Sequence, residues 1–282
     1  MTSPPGRDYS EDAELARLRE LGESTLGLSF DVIEQSGGAQ NVIAIRSGDT
    51  LFSKRLDSLT YFVQDNRFGV GGELGVFEGP DDELLRNCRA VLASLGVPEA
   101  EIGYAGIVRE QNQVARFDPE SGRSEFEEPT PGNRYARIGR YVDGRPVWQS
   151  GCVLGLTGDG RIGRLQLHWP ALPDLAVEEL RVLAYRVEQD WRPPDVEGAE
   201  PESVEAGITH STAVGFVLDI YPAIQVVYAS TTGLGRKPVR YLNRYGEDVP
   251  VPRAHAWDLD KIVPTLNRPD PPPDAAQEVA FG

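Results

Sequence analysis

Side chains suited to acid–base chemistry are sparse in this chain. Three histidines occur among 282 residues, His168, His210 and His255, too few and too scattered to form a metal site by spacing. His168 alternates with Arg164 and Gln166 in RIGRLQLHW and is expected on the polar face of a strand. His255, in PRAHAWDLD with Asp258 and Asp260 close by, reads as part of a polar loop. His210 is different, because GITHSTAVGFVLDIYP sets it beside Ser211 and Thr212 in an otherwise apolar run. If Asp219 or Tyr221 shared its sheet face, the pair would suit proton transfer. Gly215 interrupts the two-residue period, so no pairing follows from the sequence.

Other reactive patterns are missing or incomplete. No G-x-S-x-G turn presents a nucleophilic serine. FGVGGELG (68–75) has the glycines of a phosphate loop without its G-K-[ST] ending, and reads as a flexible turn. SEFEEPTPGN (124–133) holds three glutamates but no calcium-loop spacing, and reads as a solvated connection. Cys88 and Cys152 are the two cysteines, far apart in sequence and outside any CxxC spacing. No metal and no cofactor is implied.

Arginine and tyrosine offer a better pattern. Tyr135, Arg137, Arg140, Tyr141, Arg145 and Arg164 fall on strand-like segments and would form a mixed face of the residue types enriched at interface centres. That face is the predicted binding surface.

The elements that would carry these residues follow a repeated order. DAELARLREL (12–21) stripes Leu15, Leu18 and Leu21 on a helix, and NVIAIRSGDTLFSKR then reads as a hairpin turning at Ser47-Gly48-Asp49. LTYFVQD is a further strand. DDELLRNCRAVLASLG is a helix with acidic first-turn residues, an inner stripe through Leu84, Cys88 and Leu92, and Gly96 at its end. Strand-like pieces follow up to Trp169, the last two joined by a Gly158-Asp159-Gly160 turn. There the period places Trp148, Cys152, Leu154 and Leu156 on one face, and Leu165, Leu167 and Trp169 on the matching face of the returning strand. AVEELRVLAYRVEQDW is a third helix, stopped by Pro193 and Pro194, and GITHSTAVGFVLDIYPAIQVVYAS and KPVRYL are strands again.

Helix followed by short-turned strands is an α+β pattern, with helices packed on antiparallel curled sheets in tandem units. The expected segments are a loose N-terminus (1–10), an α/β-hairpin element (11–80), a first helix-and-sheet unit (81–192), an acidic linker (193–206), a second β-rich unit (207–266) and a Pro-rich C-terminus (267–282). Packing of the second helix on the Cys152 face would make Cys88 and Cys152 neighbours. They are expected as reduced core thiols in a cytoplasmic chain, with thiol and disulfide both open in an exported one.

Lys plus Arg number 28 against 44 Asp plus Glu, a formal charge of −16. A field of that sign repels phosphate backbones, so nucleic acid is not an expected partner. No apolar run is long enough for a membrane-spanning helix, and MTSPPGRDYSEDAELARLRE has no apolar leader core, which reads as cytoplasmic. A missing leader would move the expectation to the cell envelope or to secretion.

One stretch resembles a known family. YVDGRPVWQSGCVLGLTGDGRIGRLQLHW is similar to the peptidase propeptide and YPEB-type (PepSY-like) domain, and to the related fungalysin/thermolysin propeptide motif. The likeness lies in Gly144, Pro146 and Val147 opening a strand, the aliphatic run Val153–Leu156, the Asp159-Gly160 turn and the strand Ile162–Leu167. The helix DDELLRNCRAVLASLG and strands 103–142 supply the family's helix-then-strand order, and segment 224–243 echoes the theme. The resemblance implies cystatin-like units and a non-enzymatic binding or regulatory module for a peptide or protein partner. The alternative is a small-molecule enzyme of the cyclase or isomerase kind, with His210, Asp219 and Tyr221 in an apolar pocket.

Overall fold

The computed structural model describes residues 11–31, 35–37, 42–56, 58–113, 115–118, 122–189, 191–196, 200–210, 220–229 and 239–249. The termini 1–10 and 267–282, and with them Asp219, His255, Asp258 and Asp260, lie outside these residues.

Within them the order helix-then-meander occurs three times. Helix α1 (Glu11–Ser24) precedes β1 (Gln35–Gly37), β2 (Val42–Ser47), β3 (Thr50–Arg55) and β4 (Leu59–Asp65). Helix α2 (Asp81–Ser94) precedes β5 (Ile102–Asn112), β6 (Ala115–Asp118), β7 (Arg123–Phe126), β8 (Thr130–Val142), β9 (Arg145–Leu156) and β10 (Ile162–Trp169). Helix α3 (Asp174–Gln189) precedes β11 (Pro201–His210), β12 (Ile220–Tyr228) and β13 (Val239–Leu242). The architecture is mixed α+β with mostly antiparallel pairing, as the pattern predicts.

The chain divides into two units, residues 1–138 with 151–170, and residues 139–150 with 171–282. This differs from the boundaries read off composition. The N-terminal element joins the first unit as part of its sheet, because β4 hydrogen-bonds along β10 from Arg164↔Gln64 to Trp169↔Leu59. The expected linker is half strand: β11 begins at Pro201, and its apolar residues Ala206 and Ile208 are fully buried opposite Ile224 and Pro222.

In the first unit the strands run β1-β2-β3-β4-β10-β9, with β8 on β9 and β5 on β8. Leu18 of α1 and Leu84, Cys88 and Leu92 of α2 bury against Ile45, Phe52, Val63, Leu154, Leu165 and Leu167. The four-residue spacing of Leu84, Cys88 and Leu92 keeps them on one stripe. Gly96, at φ 79, ends α2, and Val97 N–H reaches back to the Leu92 carbonyl at 3.0 Å. The Cys88 and Cys152 sulfurs lie 3.8 Å apart, both buried and both free thiols. The Gly158–Gly160 turn closes as expected, with Gly160 at φ 83 and Thr157 N–H on the Arg161 carbonyl at 2.8 Å.

In the second unit Leu180 and Leu183 of α3 bury against Val147, Ala206, Ile208, Ile224, Val226 and Tyr228. Here β9 pairs with β11 in parallel, Ile208 against Val147, a departure from all-antiparallel pairing. A second departure lies two residues on. Gln149 has φ 61 inside β9, which breaks the two-residue alternation. Trp148 therefore packs on Tyr241 in the second unit, ring centroids 5.1 Å apart, while Cys152 faces Cys88 in the first. The common face expected for Trp148 and Cys152 does not exist.

Candidate functional site

The six residues of the expected Arg/Tyr face divide between the two units. In the first, Tyr135 and Arg137 stand on β8 and Arg164 on β10. Tyr135 is buried, edge-on to Phe68 with centroids 6.0 Å apart. The Arg164 guanidinium lies 5.4 Å from its ring, and Asn133 Nδ2 donates to its hydroxyl at 2.9 Å. That hydroxyl donates in turn to Glu110 at 3.4 Å. Burial raises the Tyr135 phenol above its ordinary pKa, with the Glu110 charge adding to the rise.

Arg137 and, in the second unit, Arg140 are buried as well. An exposed stripe through Tyr135, Arg137 and Arg140 is thus corrected. Both faces of β8 are covered along residues 135–138, so alternation there separates two packed sides rather than core from water. Of the six, Tyr141, Arg145 and Arg164 remain half-buried and reachable.

Arg145 sits at a built feature. Asp143 (φ 51) and Gly144 (φ 73) form a two-residue turn between β8 and β9, with both residues in the left-handed region that an Asp-Gly pair tolerates. The turn sets Asp143 against Arg181 of α3 at 2.6 Å, and Arg145 pairs with Glu188 of the same helix. Between these two ion pairs lies a groove of about 210 Å³, floored by Leu180 and Ala184, with Tyr185 at its lip. Tyr185 is 64% exposed, and Leu175 and Val182 are also exposed on α3. Burial raises the pKa of Glu205, partly offset by Arg145, and burial together with Glu205 raises that of Tyr141. The groove offers a small seat of mixed polarity between charges of both signs.

His210 is not a member of this feature. It is fully buried, and its Nε2 shares a hydrogen bond with Ser150 Oγ at 3.2 Å. Gln149 Oε1 accepts from Thr209 Oγ1 at 2.8 Å and from the His210 N–H at 3.4 Å. Desolvation pulls the imidazole down to about 4, so it is neutral at pH 7. Tyr221 pairs with Thr209 and Ile220 with His210, which puts His210 and Tyr221 on opposite faces. The expected His210–Tyr221 partnership is corrected on that register. The arrangement of hydroxyl and imidazole is that of a nucleophile and its base, but both groups are sealed inside the unit and fasten β9 to β11. His168, half-buried, shares a hydrogen bond with Thr60 Oγ1 at 3.0 Å.

Sequence reasoning found Arg145 but missed Asp143, Arg181, Tyr185 and Glu188. The available signals were the Asp143-Gly144 turn and the apolar residues Leu175, Val182 and Tyr185 off the buried stripe of α3. Among the described residues no group of three or more His, Cys, Asp or Glu is placed to hold a metal ion. No helix there is long and apolar enough to cross a membrane.

No family model matches the chain. No curated protein matches it. Among solved structures, the Bacillus megaterium YpeB C-terminal domain superposes with a TM-score of 0.36 and 9% identity, covering 86% of this chain and 96% of that one. A superposition of that quality fixes neither fold nor function.

Proposed function

We propose that this chain is a non-enzymatic binding or regulatory module of the propeptide type, holding a peptide segment of a protein partner in the groove between α3 and the Asp143-Gly144 turn. The observation that carries the reading is the groove itself: Ala184 over the buried Leu180, a rim of paired charges and an exposed tyrosine at the lip. Apolar anchors inside a charged rim are how peptide sites combine affinity with register. The DGRPV-to-Trp169 stretch supports the same reading through its likeness to propeptide domains. Arg145 lines the groove, while Tyr135, Arg137 and Arg140 are buried and take no part in it.

Panning a random peptide library on the full chain tests this. Enriched peptides are expected to bind the wild type at least about tenfold more tightly than a Tyr185→Ser/Arg145→Ala variant, since one well-buried contact is worth that factor. Enriched peptides that bind both proteins equally would remove the groove from the account.

A further inference from the structure

The second helix-and-meander motif carries an excursion, residues 109–133, whose two ends are tied to the fold by Arg109 on Asp81 and by Glu110 and Asn133 on the Tyr135 hydroxyl. On β5 burial stops at Val108, and Arg109–Asn112 are exposed, as are Thr130 and Pro131 at the start of β8. Beyond them β6 and β7 form a two-stranded ribbon that, among the described residues, pairs only with itself. Its register, Ala115↔Phe126 and Phe117↔Ser124, places Phe117 and Phe126 diagonally on one face. They are 66% and 50% exposed. Arg116 is tied to Glu127 at 2.6 Å, Gln113 Nε2 donates to the Glu127 carbonyl at 3.1 Å, and Thr130 Oγ1 to the Asn112 carbonyl at 3.3 Å.

A lone two-stranded ribbon is marginal in water, and two phenylalanines on its open face do nothing for its solubility. The sequence of the excursion is acidic on balance. The excursion carries six carboxylates, at Glu110, Asp118, Glu120, Glu125, Glu127 and Glu128, against Arg109, Arg116 and Arg123. The whole chain bears −16, so a second copy would meet repulsion here, as would an anionic lipid surface. What complements the surface is an apolar strand with basic residues.

We propose that the β6–β7 ribbon is a docking element for an extended segment of a partner protein that alternates apolar and basic residues. The apolar residues cover Phe117 and Phe126, the basic ones lie among the carboxylates, and the segment's backbone joins an open edge of the ribbon. This extends the binding-module reading to a second surface and is independent of the α3 groove.

The test uses the full chain and two dye-labelled octapeptides in fluorescence anisotropy, one alternating Lys and Leu, the other Lys and Ser. The Lys-Leu peptide is expected to bind about tenfold or more tightly than the Lys-Ser peptide, the scale on which covering one aromatic side chain changes a binding constant. A Phe117→Ser/Phe126→Ser variant, folded by circular dichroism, is expected to lose that contrast and keep the weak, salt-sensitive Lys-Ser binding. The Tyr185→Ser variant is expected to keep the contrast, which separates the ribbon from the groove. A contrast that survives in the double phenylalanine variant overturns the proposal, and so does one abolished by Tyr185→Ser alone. A wild-type dimer in sedimentation that the double variant dissolves assigns the face to a second copy and equally overturns it.

Discussion

The glycine pair under Phe68 allows a sharp test of the first unit's packing. Gly155 on β9 and Gly163 on β10 leave a bare shelf on which the Phe68 ring lies. A Cβ at Gly163 would stand 2.4 Å from Phe68 Cγ and Cδ2, and one at Gly155 would stand 2.6 Å from its Cζ. Carbon atoms rest about 3.5–4.0 Å apart, so the ring would have to retreat by more than an ångström. It has little room to do so, being 9% exposed and set against Tyr135. Gly163→Ala should therefore destabilise by about 1–3 kcal/mol through overpacking. Phe68→Ala should cost about 3–5 kcal/mol by leaving a void. In that background the ring contacts at 2.4 Å are gone and only the retained Cβ of residue 68, at 2.8 Å, still crowds the new methyl group, so most of the overpacking is relieved. The two changes should then be coupled by about 1–2 kcal/mol, most of the overpacking cost, in a double-mutant cycle of urea midpoints followed by circular dichroism. Free energies that add within about 0.5 kcal/mol would refute the shelf.

Two further outcomes concern titratable groups. His210 titrates near 4 when folded and near 6.5 when unfolded, so the native state binds fewer protons below pH 6.5. Its contribution to stability is complete above pH 6.5, falls as pH drops through the window to 4, and amounts to about 3 kcal/mol; denaturation midpoints of His210→Gln should show a shallower slope across that window, and an unchanged slope would refute the assignment. Burial and the Cys88 contact hold the Cys152 thiol well above its ordinary range, Cys88 first. Iodoacetamide should leave both thiols unmodified in the native protein and label both in urea. Oxidised glutathione in partial urea should join them across 64 residues, adding about 4 kcal/mol. Rapid native labelling would contradict the burial.

Local chemistry decided a large part of this molecule. Repeating leucines at helical spacing fixed α2 and α3. Gly48, Gly96 and Gly160, all at positive φ, marked turns and a helix end that only such residues accept cheaply, and alternation placed Leu165, Leu167 and Trp169 inward. These features depend on neighbours a few residues away, so the sequence contains their cause. The tertiary structure alone decided the rest. Parity could not tell that β8 is covered on both sides, which turned Tyr135, Arg137 and Arg140 from a surface into an interior. Nor could it foresee the left-handed Gln149, whose single dihedral sends Trp148 and Cys152 to different units. The groove needed Asp143 and Arg145 brought against Arg181 and Glu188, some forty residues on. Which faces meet water, and which distant charges meet each other, follows from how elements are stacked, and a one-dimensional pattern of polarity does not encode the stacking partner.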